Sequence, residues 1–240
     1  NKLITSAERY NFSIFTLSQR RSNTKDTEFF FMARELLVGA TNIDSIVDKT
    51  KGWIEQYYDP QRFYSHIAEK YELGLGGFFK WEGLRYFLYE HEQWLRSRGK
   101  QSSNKLSWEK LTASKKDNVT VEHVFPQTPK DEYWLSRFGS LDKEQTQFVA
   151  HSIGNLVPLS RAKNSSLQND SFDLKKNNGN GVGFYNGSAS ERLPETVLSR
   201  GLQLLAFMEE RWQIVIGDDE FKTQLLHMDF INSDSINENT

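Results

Sequence analysis

Apolar residues in the first hundred positions recur at the spacing of a single helix face. Phe29, Met32, Ala33, Leu36 and Leu37 form one stripe, Phe63, Ile67 and Tyr71 a second, and Leu84, Phe87, Leu88, His91 and Leu95 a third. His91 lies on the apolar stripe of its helix, which makes it a core residue. Asp59-Pro60 is a helix start, with Asp as N-cap and Pro at the first position. Gly74-Leu75-Gly76-Gly77 interrupts the pattern. No strand precedes it and its spacing is not that of a dinucleotide cradle, so it reads as a turn between helices. From Arg96 to Asn104 the chain is polar and small, the composition of a linker. Beyond it the period changes. Val119–Phe125 reads as a strand closed by Pro126, and Leu156–Leu159 as a second short strand. Ala162 to about Lys176 reads as a polar, half-exposed helix, and 177–190 as a Gly- and Asn-rich loop. Pro194 to Trp212 reads as an amphipathic helix with Val197, Leu204, Leu205, Met208 and Trp212 inward. The tail after Asp229 is rich in Asn, Ser and Asp and is expected to fray. The pattern predicts an α+β chain, mostly α: a helical domain over 1–104, a strand–strand–helix domain over 105–216, and an extension over 217–240, partly disordered.

Composition narrows this picture. With 17 Phe, 9 Tyr and 6 Trp among 240 residues the chain can build a core and is not disordered. The net charge of −2 gives no bulk electrostatic case for nucleic acid, so any such role rests on local chemistry. The absence of Cys excludes disulfides, zinc knuckles and thiol catalysis, and it fits a cytoplasmic protein. No apolar run approaches the roughly 18–20 residues of a membrane span, and no signal peptide is visible. The sequence begins at Asn1, in already patterned sequence, which leads us to expect the C-terminal piece of a longer protein.

Two short blocks and one Asn carry chemistry. Val121-Glu122-His123-Val124-Phe125-Pro126-Gln127 sets an acid beside a His in an apolar run. Ile153-Gly154-Asn155-Leu156 follows about thirty residues later, then Asn164. Hydrolysis of a phosphodiester needs an activated water, neutralised phosphoryl charge and help for the leaving oxygen. A neutral His can take the water's proton, a contribution of ~10²–10⁴-fold. Carboxylate and amide oxygens suit a hard cation such as Mg²⁺ or Mn²⁺. His123 is the candidate base, with Asn155 holding it through an amide hydrogen bond, and Glu122 and Asn164 are the candidate metal ligands. Adjacent strand residues face opposite ways, so a bulge or strand end is needed to aim Glu122 and His123 into one site.

These blocks, with Lys163-Asn164-Ser165-Ser166-Leu167-Gln168-Asn169 and Phe172-Asp173-Leu174-Lys175-Lys176, resemble the HNH (His-Me finger) nuclease domain of GmrSD-type restriction systems. The core of the resemblance covers 121–176. The preceding helical stretch, and the last helix with Arg200 and Trp212, also resemble the family's flanks. The resemblance implies a ββα-metal core over 105–216 that cuts phage or other foreign DNA, often modified. His123 would be the general base, Asn155 its orienter, and Glu122 and Asn164 the ligands of one Mg²⁺ or Mn²⁺ ion. Family members often carry Asp where this chain has Glu122. Many HNH nucleases hold zinc through Cys pairs; none is expected here. Similar proteins place a nucleotide-hydrolysing sensor domain upstream, which is not part of this sequence. One such site nicks a single strand. Lys175 and Lys176 resemble a basic pair at the end of the crossing helix, set to contact phosphate or to lie at a solvated helix end. Arg161 and Lys163 are placed to steer a nucleic-acid backbone. His151 is a candidate phosphate contact, second acid or packing residue. Two other readings share these residues: a silent domain that only binds DNA or a partner, and an HNH ribonuclease.

Overall fold

Helices form where the apolar spacing asks for them, and their caps are the ones the local residues supply. The computed structural model describes residues 2–99, 108–109, 119–160, 170–178 and 192–231. By its internal packing the chain divides into two units, Asn1–His66 with Glu209–Ile216, and Ile67–Met208 with Gly217–Thr240.

In the first unit, α1 (Lys2–Asn11) runs into a π-helical segment, Phe12–Leu17, and is followed by α2 (Asp26–Leu37) and α3 (Ile43–Tyr57). Asn42 caps α3 by accepting from the Ser45 amide at 2.9 Å. Tyr10, Phe12, Ile14, Leu17, Ile46, Ile54 and Phe63 are buried. Trp212 stacks on Phe12 with centroids 3.8 Å apart, and its Nε1 donates to Glu8 Oε1 at 2.7 Å. The stripe predicted on α2 is only partly inward. Met32 is buried, whereas Leu37 is exposed beside the exposed Phe30 and Phe31.

Helix α4 (Pro60–Glu72) begins where Asp59-Pro60 sets it, with Asp59 Oδ1 accepting from the Gln61 amide at 3.0 Å. The Gly-rich turn then leads into a short 3₁₀ segment, Gly77–Lys80, and α5 (Leu84–Arg98). Gly77 has φ +44°, and a Cβ there would strike the Tyr71 ring, so glycine is required on both counts.

Two strands follow, β1 (Val119–His123) and β2 (Leu156–Ser160), paired antiparallel with His123 opposite Leu156 and Val119 opposite Ser160. Between them stand α6 (Glu132–Phe138) and α7 (Lys143–His151), and after them come α8 (Phe172–Asn178), α9 (Pro194–Trp212) and α10 (Asp219–Leu225). Helix α9 keeps the predicted bounds, and Val197, Leu204, Leu205, Met208 and Trp212 are all buried. Of the helix expected over 162–176, Asp170 and Ser171 are not helical and α8 begins only at Phe172, running on to Asn178; residues 161–169 lie outside the described residues. The linker expected at 96–104 begins inside α5, which runs to Arg98, and the loop expected at 177–190 begins inside α8, which runs to Asn178; residues 100–104, 179–190 and the tail beyond Ile231 lie outside the described residues. Among the described residues no helix is long and apolar enough to cross a membrane.

Candidate active site

The site is assembled at the end of β1 nearest β2's start. His123 is the last residue of β1, and the chain there is tied to the segment entering β2. Val124 N–H donates to Asn155 O at 3.1 Å. Asn155 Oδ1 accepts from Phe125 N–H at 2.7 Å, and its Nδ2 donates to Phe125 O at 2.9 Å and to Ala150 O at 2.8 Å. The amide therefore holds backbone on both sides of the site, two residues past His123, and does not bond the imidazole. The expected direct amide–imidazole bond is replaced by a clamp on the loop that carries the imidazole. Its physical reason is reach: Asn155 precedes the residue opposite His123, so its side chain points along the loop rather than at the ring.

Asn155 is brought there by a tight turn. Ser152 Oγ accepts from the Gly154 amide at 3.4 Å, opening the 3₁₀ turn Ile153–Asn155. A Cβ on Gly154 would strike the carbonyl of Val197, so the turn can lie against α9 only with glycine. Arg192 and Arg200 both donate to the Gly154 carbonyl, at 2.6 and 2.7 Å.

The ladder is regular through Glu122 and His123, with no bulge between them. The two side chains accordingly meet different neighbours. Glu122 meets α8: Lys175 Nζ donates to Glu122 Oε1 at 2.8 Å, and to the carbonyls of His123 and Val124 at 3.1 Å each. Lys175 is 0 % exposed, so it stands neither at a solvated helix end nor on the surface. Trp134 lies beside it, with Nζ 6.0 Å from the ring centroid. Burial pushes the Glu122 carboxyl up and the Lys175 ammonium down, each opposed by the other's charge. Mutual attraction is what keeps a desolvated pair of this kind ionic.

His123 meets α7 instead. Its Nε2 is 3.1 Å from His151 Nδ1, its Nδ1 is 3.3 Å from Gln127 Nε2, and His151 Nε2 is 3.1 Å from Gln147 Oε1. Phe79 lies against both rings, at 4.4 Å from His123 and 5.9 Å from His151. Gly76, at φ +105°, presents its bare backbone to the His151 ring. His123 and His151 are each 7 % exposed. Burial, the neighbouring His151 and Lys175 push the His123 imidazole down to about 3, so it is neutral at physiological pH. Burial and then Lys80 push His151 down as well.

Asn164, Arg161 and Lys163 lie outside the described residues, and so does the side chain of Lys176. The structure thus brings together Glu122 with Lys175, and His123 with His151, over one Asn155 clamp. Sequence reading missed Gln127, Gln147 and Phe79. Gln147 had a signal, since it stands one helical turn before His151.

A divalent ion is implied by the resemblance, and the described residues test its fit. Among them no group of three or more His, Asp or Glu is placed to hold a metal ion. The Glu122 carboxylate has its Oε1 bonded to an ammonium, and the charge of Asp170 acts on that same ammonium. By themselves these residues do not fit a divalent ion. The three oxygens gathered on Lys175 Nζ already satisfy a cation.

Comparison with known families gives a single finding: residues 78–193 match the family model described as GmrSD restriction endonucleases, C-terminal domain. No curated protein and no solved structure gives a match.

Proposed function

Residues 78–193 match the C-terminal domain family of the GmrSD restriction endonucleases, and from that match we infer that the chain is a DNA-cutting module with His123 as general base. The observation that carries this reading is a buried, neutral imidazole fixed at a strand end, with one ring nitrogen facing an exposed amide side chain. In the proposed reaction His123 takes a proton from water. The hydroxide oxygen attacks phosphorus, the bond to the leaving oxygen breaks, and that oxygen departs with a proton from solvent. The anionic phosphodiester raises the affinity of the imidazole for this proton, because a negative charge nearby favours the cationic ring. Asn155 acts through the backbone of the His123 loop.

A Mg²⁺ or Mn²⁺ ion, when bound, would neutralise phosphoryl charge and stabilise the leaving oxygen. Glu122 and Asn164 are its proposed ligands, on the strength of the resemblance. Ligation by Glu122 requires Lys175 to release the carboxylate, so an ammonium and a metal compete for one group. Lys175 and His151 can contact phosphate only if their internal bonds open, and Lys176, Arg161 and Lys163 remain proposed backbone contacts. A cytoplasmic setting, foreign DNA as substrate, single-strand nicking and coupling to an upstream sensor are further parts of the proposal.

The test is relaxation of supercoiled plasmid by the full chain with Mg²⁺ or Mn²⁺. Nicking that disappears in His123→Ala is the expected outcome, and equal relaxation by that variant would sink the reading. One observation favours a second reading, a silent DNA-binding domain: Glu122 is already neutralised by Lys175. That reading predicts DNA binding without cleavage and no Mn²⁺ heat in calorimetry.

A further inference from the structure

Gln127 and His151 flank His123, Gln147 holds His151, and the four side chains form one chain of contacts. Gln127, His123, His151 and Gln147 follow each other at 3.3, 3.1 and 3.1 Å. Each neutral imidazole has one N–H and one lone pair, so the direction of one bond fixes the next. Gln147 Oε1 is a carbonyl oxygen and can only accept. His151 Nε2 must then carry the hydrogen, and its Nδ1 must accept. His123 Nε2 therefore donates to it, which leaves His123 Nδ1 as a lone pair. The other end gives the same answer independently, because Gln127 Nε2 can only donate to His123 Nδ1. Reversing the chain requires both glutamine amides to turn over together.

We propose that His151 is a positioning residue: it holds His123 as the Nε2–H tautomer, so that Nδ1 is the atom that accepts the proton. Gln147 is the anchor that fixes His151, and Gln127 is a cover over Nδ1 that moves aside for water and substrate. The burial pattern fits these roles. The two imidazoles are buried, with Phe79 against both and the bare backbone of Gly76 against His151, while Gln127 and Gln147 are exposed. The functional part of this inference rests on the reading of His123 as a base; the tautomer itself does not.

The experiment is ¹⁵N–¹H long-range correlation on the full chain, labelled at His, which reads directly which ring nitrogen carries hydrogen. The wild-type spectrum should give a single His123 tautomer protonated at Nε2. His151→Phe keeps a ring but removes the acceptor and should leave His123 as a mixture of tautomers, with plasmid nicking down about tenfold, a loss smaller than removal of a base. His151→Asn restores an acceptor oxygen near the Nδ1 position and should recover both the single tautomer and most of the nicking. Gln147→Leu changes an exposed residue, so folding is retained, and it should mix the tautomers of both imidazoles. It decides the matter if His151→Phe does not fold. A wild-type His123 protonated at Nδ1, or an unchanged single tautomer in the folded His151→Phe or Gln147→Leu variant, overturns the proposal. A wild type that cannot nick DNA removes the nuclease reading instead, and leaves the tautomer assignment to the spectrum.

Discussion

Three hydrogen bonds converge on the fully buried Asn155 amide, and all of them satisfy backbone groups that have no route to water. Asn155→Ala would orphan Phe125 N–H, Phe125 O and Ala150 O together. At about 1–3 kcal/mol for each buried unsatisfied group, the loss should be at least roughly 3 kcal/mol in urea unfolding. Asn155→Asp keeps the acceptor and loses both donors, so it should fall between. Nicking should drop in both variants, since the clamped loop carries His123. Residue-scale legibility was uneven for a physical reason. That Asn155 mattered could be read from its place in the block Ile153-Gly154-Asn155-Leu156. Its partner could not, because an amide bonds whatever polar group the fold brings within reach. His123 and His151 stand 28 residues apart, and nothing in a linear pattern sets one imidazole against another.

Helix α8 is seated on β1 through a single charged side chain. Lys175 Nζ joins the Glu122 carboxylate to two carbonyls at the strand's end, with no exposed surface. Removing one partner of such a pair leaves an unpaired buried charge, so Lys175→Met should cost about 3–5 kcal/mol. Adding Glu122→Gln removes that charge and should recover part of the loss in chemical denaturation, but not all, because the His123 and Val124 carbonyls stay unsatisfied. If the two substitutions act additively, the pair is not the link between helix and strand. The sequence stripes and caps placed α4, α5 and α9 well. The two strands came out within two residues of their ends, because a run of β-branched residues closed by Pro is a local signal. Helices α6 and α7 were passed over. Their signals were polar rather than apolar: Asp131 caps α6, and Asp142 with Gln145 forms a capping box on α7. The inward direction of Lys175 was not legible, since it depends on a carboxylate 53 residues away.

At the scale of the whole molecule, several buried imidazoles make the fold sensitive to acid. Burial pushes His91 down to about 4, and it lowers His123, His151 and His227 as well. A His whose folded value lies below its unfolded value of about 6.5 binds protons more readily when unfolded. Its contribution is intact above that value and is lost as pH falls toward the folded one. Thermal melts should therefore show stability declining steadily from about pH 6.5 toward pH 4, and a flat profile over that range would refute the argument. The net charge of −2 argues for weak DNA affinity that falls steeply with salt, measurable as the slope of log affinity against log salt. Composition showed this much from the start, and the fold adds to it that the Lys of greatest interest faces inward.

The Glu122–Lys175 pair also constrains inheritance. Glutamate reaches Lys175 at 2.8 Å through a side chain one methylene longer than aspartate's. A change to Asp at position 122 would pull the carboxylate back and strand a buried ammonium unless the residue at 175 changed with it. Across relatives the two positions should therefore vary as a unit, with Glu at the first accompanied by Lys at the second. A lineage that changed one would pass through a poorly folded intermediate before it changed the other.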